Sequence, residues 1–208
     1  MGGMAHAESF GIASESFIGL VERIDPEQWG DPGLGVWTVR DLVGHTSRAM
    51  LTVETYLASP PAAAMTVPDA ETYYSEFIGK YTDDDAIAAR GIEAGAKLGD
   101  DPIGTLTAIA VRASAAAAAA DPQRLVAVGS LDGVGIPLVE YLRTRVFELV
   151  VHGIDIARAT GLDHRYPVSV VTETAELAAA VAVRKGYGDE VLSALTGRGA
   201  LCEGFTVL

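Results

Sequence analysis

The chain of 208 residues fits one domain, or one domain with a short appendage, and its 49% hydrophobic and 21% charged residues are an ordinary globular composition. The formal net charge of −13, with no basic run, argues against nucleic acid and anionic membrane surfaces as partners. Cys202 is the single cysteine, so no internal disulfide can form, which suits a reducing compartment. No signal peptide opens the chain, and no apolar run looks long and pure enough to span a bilayer. We therefore expect a soluble, cytoplasmic protein.

Periodic apolar residues predict two long helices in the first part of the chain. Apolar side chains repeat at three and four positions over 5–24, which is the spacing of one helix face. Thr38 is predicted to be the N-cap of the second helix, with Asp41 in the capping-box position, and Pro60-Pro61 ends that helix.

The middle of the chain predicts shorter helices and a long connection. One or two short helices are expected over 69–99, broken near 81–84, and an alanine-rich helix is expected over 103–120. Residues 123–135 are interpreted as a loop, because their glycines follow no convincing strand and lack the spacing of a dinucleotide-binding fingerprint.

The last third of the chain predicts three more helices. The longest runs over 137–160 and is closed by Gly161. Two further helices are expected over 168–185 and 189–195, followed by a tail over 201–208 that is irregular or a short strand.

These elements predict an all-α protein whose four long helices form a bundle. The bundle helices are expected to be the first, the second and those that follow Pro102 and Pro137, with the other helices packed outside. The predicted organisation is a single helical domain over 4–208, with the core bundle at about 5–161 and outer helices and a tail at 162–208.

A line of polar side chains follows the helix predicted over 137–160, which is otherwise apolar around most of its circumference. Spacings of four and three alternate, which places the following side chains in one line along the helix: Tyr141, Arg145, Glu148, His152 and Asp155. Inside a buried helix such a line is costly unless its members are paired or bind a ligand.

Two members of this line, Glu148 and His152, are four residues apart and can share one metal ion. A third ligand must come from elsewhere, and His45 is the natural partner because it lies in the middle of the second helix. The other histidines are less suitable, since His6 is near the terminus and His164 follows the C-cap glycine in a loop. The candidate site therefore has two imidazoles and one carboxylate, the form of catalytic zinc sites and of open sites for iron and its neighbours.

The same residues admit a purely structural interpretation. Glu148 could pair with Arg145, and His152 with Asp155, because pairs at this spacing occur by chance in many helices. Cys202, in the tail and without a nearby histidine in the sequence, is interpreted as an inert thiol.

Three segments carry a family resemblance: Trp37 to His45 (WTVRDLVGH), Arg145 to Gly161 (RVFELVVHGIDIARATG) and Ala194 to Leu208 (ALTGRGALCEGFTVL). They resemble, in order and separation, the mycothiol-dependent maleylpyruvate isomerase metal-binding domain family of the DinB-like superfamily. The resemblance implies a DinB-like four-helix bundle with additional short helices. It also implies a divalent metal bound by His45, Glu148 and His152, usually zinc, with nickel, iron or manganese as alternatives.

The resemblance further implies mycothiol as cosubstrate, held as the reactive thiolate that adds to an electrophile. Expulsion of the thiol would give isomerisation, and its retention would give S-transfer. The isomerase that gives the family its name carries a second domain after the bundle, whereas this chain ends shortly after the outer helices. That difference argues against isomerisation of a ring-cleavage product by this chain.

Three functions are open at this point. The first is a metal- and mycothiol-dependent transferase or isomerase whose partners are a small-molecule thiol and an electrophile. In it, Asp155 would orient His152, and Arg145 would pair with Glu148 or meet an anionic substrate. The others are a non-enzymatic metal-binding or stress-response domain, which predicts a fourth protein ligand, and a thiol-independent metal hydrolase. The sequence offers no obvious fourth ligand, and it does not decide whether the chain forms a homodimer.

Overall fold

The computed structural model describes residues 2–78, 84–129 and 133–207, and most of them are helical. The helices are α1 (Gly2–Val21), α2 (Val39–Ala58), α3 (Ala70–Thr72), α4 (Asp84–Lys97), α5 (Pro102–Ala119), α6 (Leu138–Thr160), α7 (Val168–Arg184) and α8 (Gly188–Leu195). A 3-10 turn (Pro26–Gly30) lies between α1 and α2, and a π-helical segment (Tyr73–Phe77) continues α3. Two short strands, β1 (Leu125–Ala127) and β2 (Gly135–Pro137), precede α6.

The predicted all-α bundle is confirmed. Helices α1, α2, α5 and α6 pack against one another, and each contributes apolar side chains that are fully shielded from solvent. Those side chains include Phe10, Phe17, Leu42, Met50, Leu106, Val146 and Leu149. Their burial supplies the main driving force for the bundle.

The predicted end signals of the two central helices are also confirmed. The Thr38 hydroxyl accepts a hydrogen bond from the Asp41 amide, and the Asp41 carboxylate accepts one from the Thr38 amide at 3.1 Å. Gly161 ends α6 in the left-handed conformation, with φ of 70°. These caps set where α2 begins and where α6 ends.

The interpretation of 123–135 as a loop is wrong in part. β1 and β2 pair antiparallel, with Val126 opposite Ile136, and Gly135 belongs to β2. The Gly135 carbonyl also accepts hydrogen bonds from the amides of Thr66 and Val67, so the connector after α2 is bound to this ribbon. Strands of three residues are too short to produce a recognisable alternation in the sequence.

Helix α4 lies closer to the core than predicted. It makes the most extensive of the helix–helix contacts with α2, rather than packing outside the bundle. Gly44 of α2 faces Gly95 of α4, and a Cβ atom on Gly44 would collide with the α4 backbone. Of the break predicted near 81–84, residues 81–83 lie outside the described residues, and Asp84 begins α4.

The remaining elements lie outside the bundle, as predicted. Helix α7 packs on α6 and α1, α8 packs on α7, and residues 201–207 are irregular. Among the described helices, α5 alone is long and apolar enough to cross a membrane by length and composition. This finding corrects the expectation that no apolar run is long and pure enough to span a bilayer. The core helix of a soluble protein passes the same test, and α5 packs on α1 and α2.

Candidate metal centre

Helices α2 and α6 bring the three predicted ligands together. One ligand atom each from His45, Glu148 and His152 lies within 4.8 Å of the other two. The rings of His45 and His152 meet edge to face, with their centroids 5.0 Å apart. The other two histidines lie elsewhere: His6 contacts Glu173 of α7, and His164 contacts the Ser16 hydroxyl.

The His45 ring is positioned by Trp37. The two rings are stacked with centroids 4.4 Å apart, and the Trp37 indole Nε1 donates a hydrogen bond to the Ala88 carbonyl of α4 at 3.0 Å. The neighbouring Gly44 lets α4 approach α2 closely at this level. The sequence did not predict this role of Trp37, because the contact with α4 is not encoded in local spacing.

The His152 ring is held by carboxylates on both nitrogens. Its Nδ1 lies 3.3 Å from Asp155 Oδ2, and its Nε2 lies 3.2 Å from Glu148 Oε2. A carboxylate on the far nitrogen of a metal-binding imidazole fixes the tautomer and the ring orientation. Asp155 therefore leaves Nε2 of His152 as the nitrogen that is available to a metal.

Glu148 has a further partner that sequence reasoning missed. The Tyr74 hydroxyl donates a hydrogen bond to Glu148 Oε1 at 2.7 Å. Tyr74 belongs to the π-helical segment and is buried, with 1% of its surface exposed. No local motif marks it, because the connection between Tyr74 and α6 spans 74 positions of the sequence.

Burial and neighbouring charges lower the pKa values of His45 and Glu148 and raise the pKa of His152. Burial lowers the pKa of His45 to about 4. Burial alone would also lower the pKa of His152, but hydrogen bonds to Asp155 and Glu148 raise it to about 9. Although burial opposes ionisation of Glu148, His152, Arg145 and Tyr74 together lower its pKa to about 2. A proton on Nε2 of His152 thus takes the position beside Glu148 that a cation would take.

The residues present fit a bound divalent cation. The His45 Nδ1 atom is buried and has no hydrogen-bond partner among the described residues, which is unusual unless a ligand completes it. In a tetrahedral zinc site, two ligand atoms lie about 3.3 Å apart for bonds of about 2.0–2.1 Å. The 3.2 Å between His152 Nε2 and Glu148 Oε2 is close to that spacing.

Arg145 does not form the ion pair with Glu148 that the structural interpretation predicted; among the described ion pairs, Glu148 pairs with His152. The Arg145 Nε atom donates a hydrogen bond to the Thr144 hydroxyl at 3.0 Å. Its guanidinium carbon lies 4.7 Å from the ring centre of Tyr141 and 5.9 Å from that of Tyr73. Stacking on aromatic faces stabilises a partly desolvated guanidinium.

The three candidate ligands line one cavity of about 280 Å³. Its wall carries three arginines, Arg48 from α2, Arg90 from α4 and Arg145 from α6. Four tyrosines, one threonine and several apolar residues are the other described residues of the lining: Tyr56, Tyr73, Tyr74, Tyr141, Thr52, Trp37, Ala49, Ile78, Ile87 and Val128. A cavity of this kind suits a small organic ligand that carries negative charge.

A comparison with family models matches residues 10–157 to the mycothiol maleylpyruvate isomerase N-terminal domain, over more than half of the chain. The chain belongs to this family. The matched region extends from α1 through most of α6 and contains His45, Glu148 and His152. Membership in the mycothiol maleylpyruvate isomerase N-terminal domain family agrees with the helical bundle, and the family's name links it to a mycothiol-dependent enzyme. Searches of curated proteins and of solved structures found no significant match.

Proposed function

We propose that the protein binds one divalent metal ion through His45, Glu148 and His152 and catalyses a mycothiol-dependent reaction of a small electrophile. The observation that carries the proposal is the convergence of the three ligands on the wall of a cavity large enough for a small substrate. Two nitrogens and one oxygen favour zinc, although the same set also suits nickel, iron or manganese.

A divalent ion bound there would act as a Lewis acid that stabilises the thiolate form of mycothiol. The protein's own residues prepare the site. Burial keeps His45 neutral, and a neutral imidazole is the form that binds metal. Asp155 orients His152, and aromatic side chains line the cavity beside the ligands.

The arginines of the cavity favour an anionic electrophile. The guanidinium groups of Arg48 and Arg90 have no hydrogen bond or ion pair with any described residue, although both residues are partly buried. Glu148 is the one carboxylate among the described residues that line the cavity, and it faces His152. The described lining residues thus place three guanidinium groups and one carboxylate around the cavity, in a chain of net charge −13. Guanidinium forks match carboxylates in shape and charge.

Retention of the thiol in the product would make the enzyme an S-transferase, and expulsion of the thiol would make it an isomerase. The cluster of metal-binding side chains has three members among the described residues, without the fourth protein ligand that a purely structural site would have. This arrangement supports a coordination position that is open to a thiol, and it favours an enzyme over a metal-storage or stress-response domain.

The test combines metal analysis with a thiol panel. Purified protein is analysed for metal, loaded with zinc, and assayed for loss of an unsaturated carboxylate with mycothiol, glutathione, bacillithiol, cysteine or no thiol. We expect one ion per chain, turnover with mycothiol, and loss of both metal and turnover in Glu148→Ala. His164→Ala is the matched control, since His164 lies outside the cluster.

Absence of metal uptake would refute the site. Equal rates with and without thiol would refute the thiol-dependent reaction and favour a metal hydrolase.

A further inference from the structure

We infer that Tyr74 is a positioning residue for Glu148: its hydroxyl occupies Oε1 and leaves Oε2 as the single carboxylate oxygen for the metal. The inference rests on the proposed metal site and deepens it. It concerns a side chain that the π-helical segment contributes, outside the two helices that carry the ligands.

The two carboxylate oxygens of Glu148 have different partners. The Tyr74 hydroxyl lies 2.7 Å from Glu148 Oε1 and 3.1 Å from the backbone carbonyl of Thr144. A hydroxyl has one proton, and the ionised carboxylate is the stronger and nearer acceptor. The other oxygen, Oε2, lies 3.2 Å from His152 Nε2, the nitrogen that Asp155 leaves available.

The π-helical turn explains why a tyrosine reaches this point. The Ile78 amide bonds to the Tyr73 carbonyl at 3.0 Å, a link across five residues that widens the turn. Both Tyr73 and Tyr74 are buried, the first beside Arg145 and the second with its ring 4.8 Å from that of Phe147. Single π-helical turns are rare and are frequent at functional sites.

The hydrogen bond has two consequences for the proposed centre. It holds the carboxylate in one orientation, which lowers the conformational entropy that metal binding must remove. It also prevents Oε1 from turning to the metal, so that Glu148 occupies one coordination position instead of two. A position is thereby kept for the thiol.

The test is Tyr74→Phe, with Tyr166→Phe as the matched control. The Tyr166 hydroxyl is also buried and also donates a 2.7 Å hydrogen bond to α6, but its acceptor is the Leu149 carbonyl instead of a candidate ligand, and Tyr166 does not line the cavity. Each variant is titrated with Zn²⁺ and Co²⁺ against a chelator, its Co²⁺ absorption spectrum is recorded, and its metal-free melting temperature is measured. Phenylalanine keeps the ring that packs on Phe147, so the fold is expected to be retained.

We expect Tyr74→Phe to weaken metal affinity by about 10–100-fold, the usual effect of losing a partner of a metal ligand. Its Co²⁺ absorption should decrease in intensity as Glu148 turns to two-oxygen ligation and the coordination number rises. Tyr166→Phe should keep wild-type affinity and spectrum, while the metal-free melting temperatures of the two variants fall by similar amounts. This separation distinguishes positioning of Glu148 from a general contribution to stability.

A second measurement needs no change at Tyr74. In protein labelled at tyrosine ¹³Cζ, one buried resonance should shift when zinc binds and should differ between wild type and Glu148→Gln before zinc is added. Wild-type affinity in Tyr74→Phe, equal losses in both tyrosine variants, or no tyrosine resonance that responds to Glu148→Gln would each overturn the inference. In those cases zinc binding by the wild type leaves the proposed function standing, whereas a wild type that binds no metal overturns both.

Discussion

Metal binding to this site should be coupled to the release of about one proton per chain at pH 7. The experiment adds zinc to metal-free protein at a series of pH values. Each ligand must be deprotonated to bind the ion, so the protons released report the protonation of the metal-free site.

The number of protons released follows from the pKa values of the three ligands. His45, with its pKa lowered to about 4 chiefly by burial, and Glu148, with its pKa lowered to about 2 chiefly by its hydrogen bond to His152, are already deprotonated at pH 7. His152, with its pKa raised to about 9 by Asp155 and Glu148, is protonated in roughly 99 of 100 molecules. Zinc therefore displaces one proton, and that proton comes from His152.

The pKa of His152 also determines how zinc affinity changes with pH. Because a proton on His152 competes with the metal, affinity increases as pH rises, by roughly tenfold per unit until the pKa of about 9 is reached. Between pH 6.0 and pH 7.5 the apparent affinity should rise by roughly 30-fold. Loss of the Asp155 carboxylate in Asp155→Asn removes one cause of the raised pKa, so this variant should release less than one proton at pH 7.5.

The assay is isothermal titration calorimetry in two buffers with different enthalpies of ionisation. The difference between the observed binding enthalpies gives the number of protons released. Release of two protons would show that His45 is protonated in the metal-free protein, and release of none would show that the two carboxylates do not hold a charged His152. Either result would refute the electrostatic reasoning.

Three further predictions concern other parts of the molecule. His45→Ala should abolish metal binding in elemental analysis while His6→Ala retains one ion, and retained metal in His45→Ala would show that α2 contributes no ligand. Gly44→Ala should lower the free energy of unfolding by about 1–3 kcal/mol in urea denaturation, because its Cβ meets the α4 backbone; an unchanged midpoint would contradict that close approach. Cys202→Ser should keep wild-type turnover with mycothiol, since Cys202 is exposed in the tail, and lost turnover would show that the chain's own thiol takes part.

The helices and two of the candidate ligands could be predicted from the sequence because the information is local. The spacing of apolar residues specifies a helix face, and the capping residues Thr38 and Gly161 mark helix ends through their own backbone preferences. Glu148 and His152 are one turn apart, so helix geometry alone brings them together. His45 was reached by elimination among four histidines and by the resemblance to a family, rather than by any local rule.

Asp155 beside His152 follows from helical spacing, but the neighbours that other elements contribute depend on the tertiary structure. Trp37 stacks on His45 and Tyr74 bonds to Glu148, although neither residue is a helical neighbour of its partner. Arg48 and Arg90 enter the same cavity because α4 packs closely on α2, a contact made possible by the absence of a side chain at Gly44. The period of apolar residues indicates which face of a helix is buried, whereas the partner of that face depends on how the helices pack together.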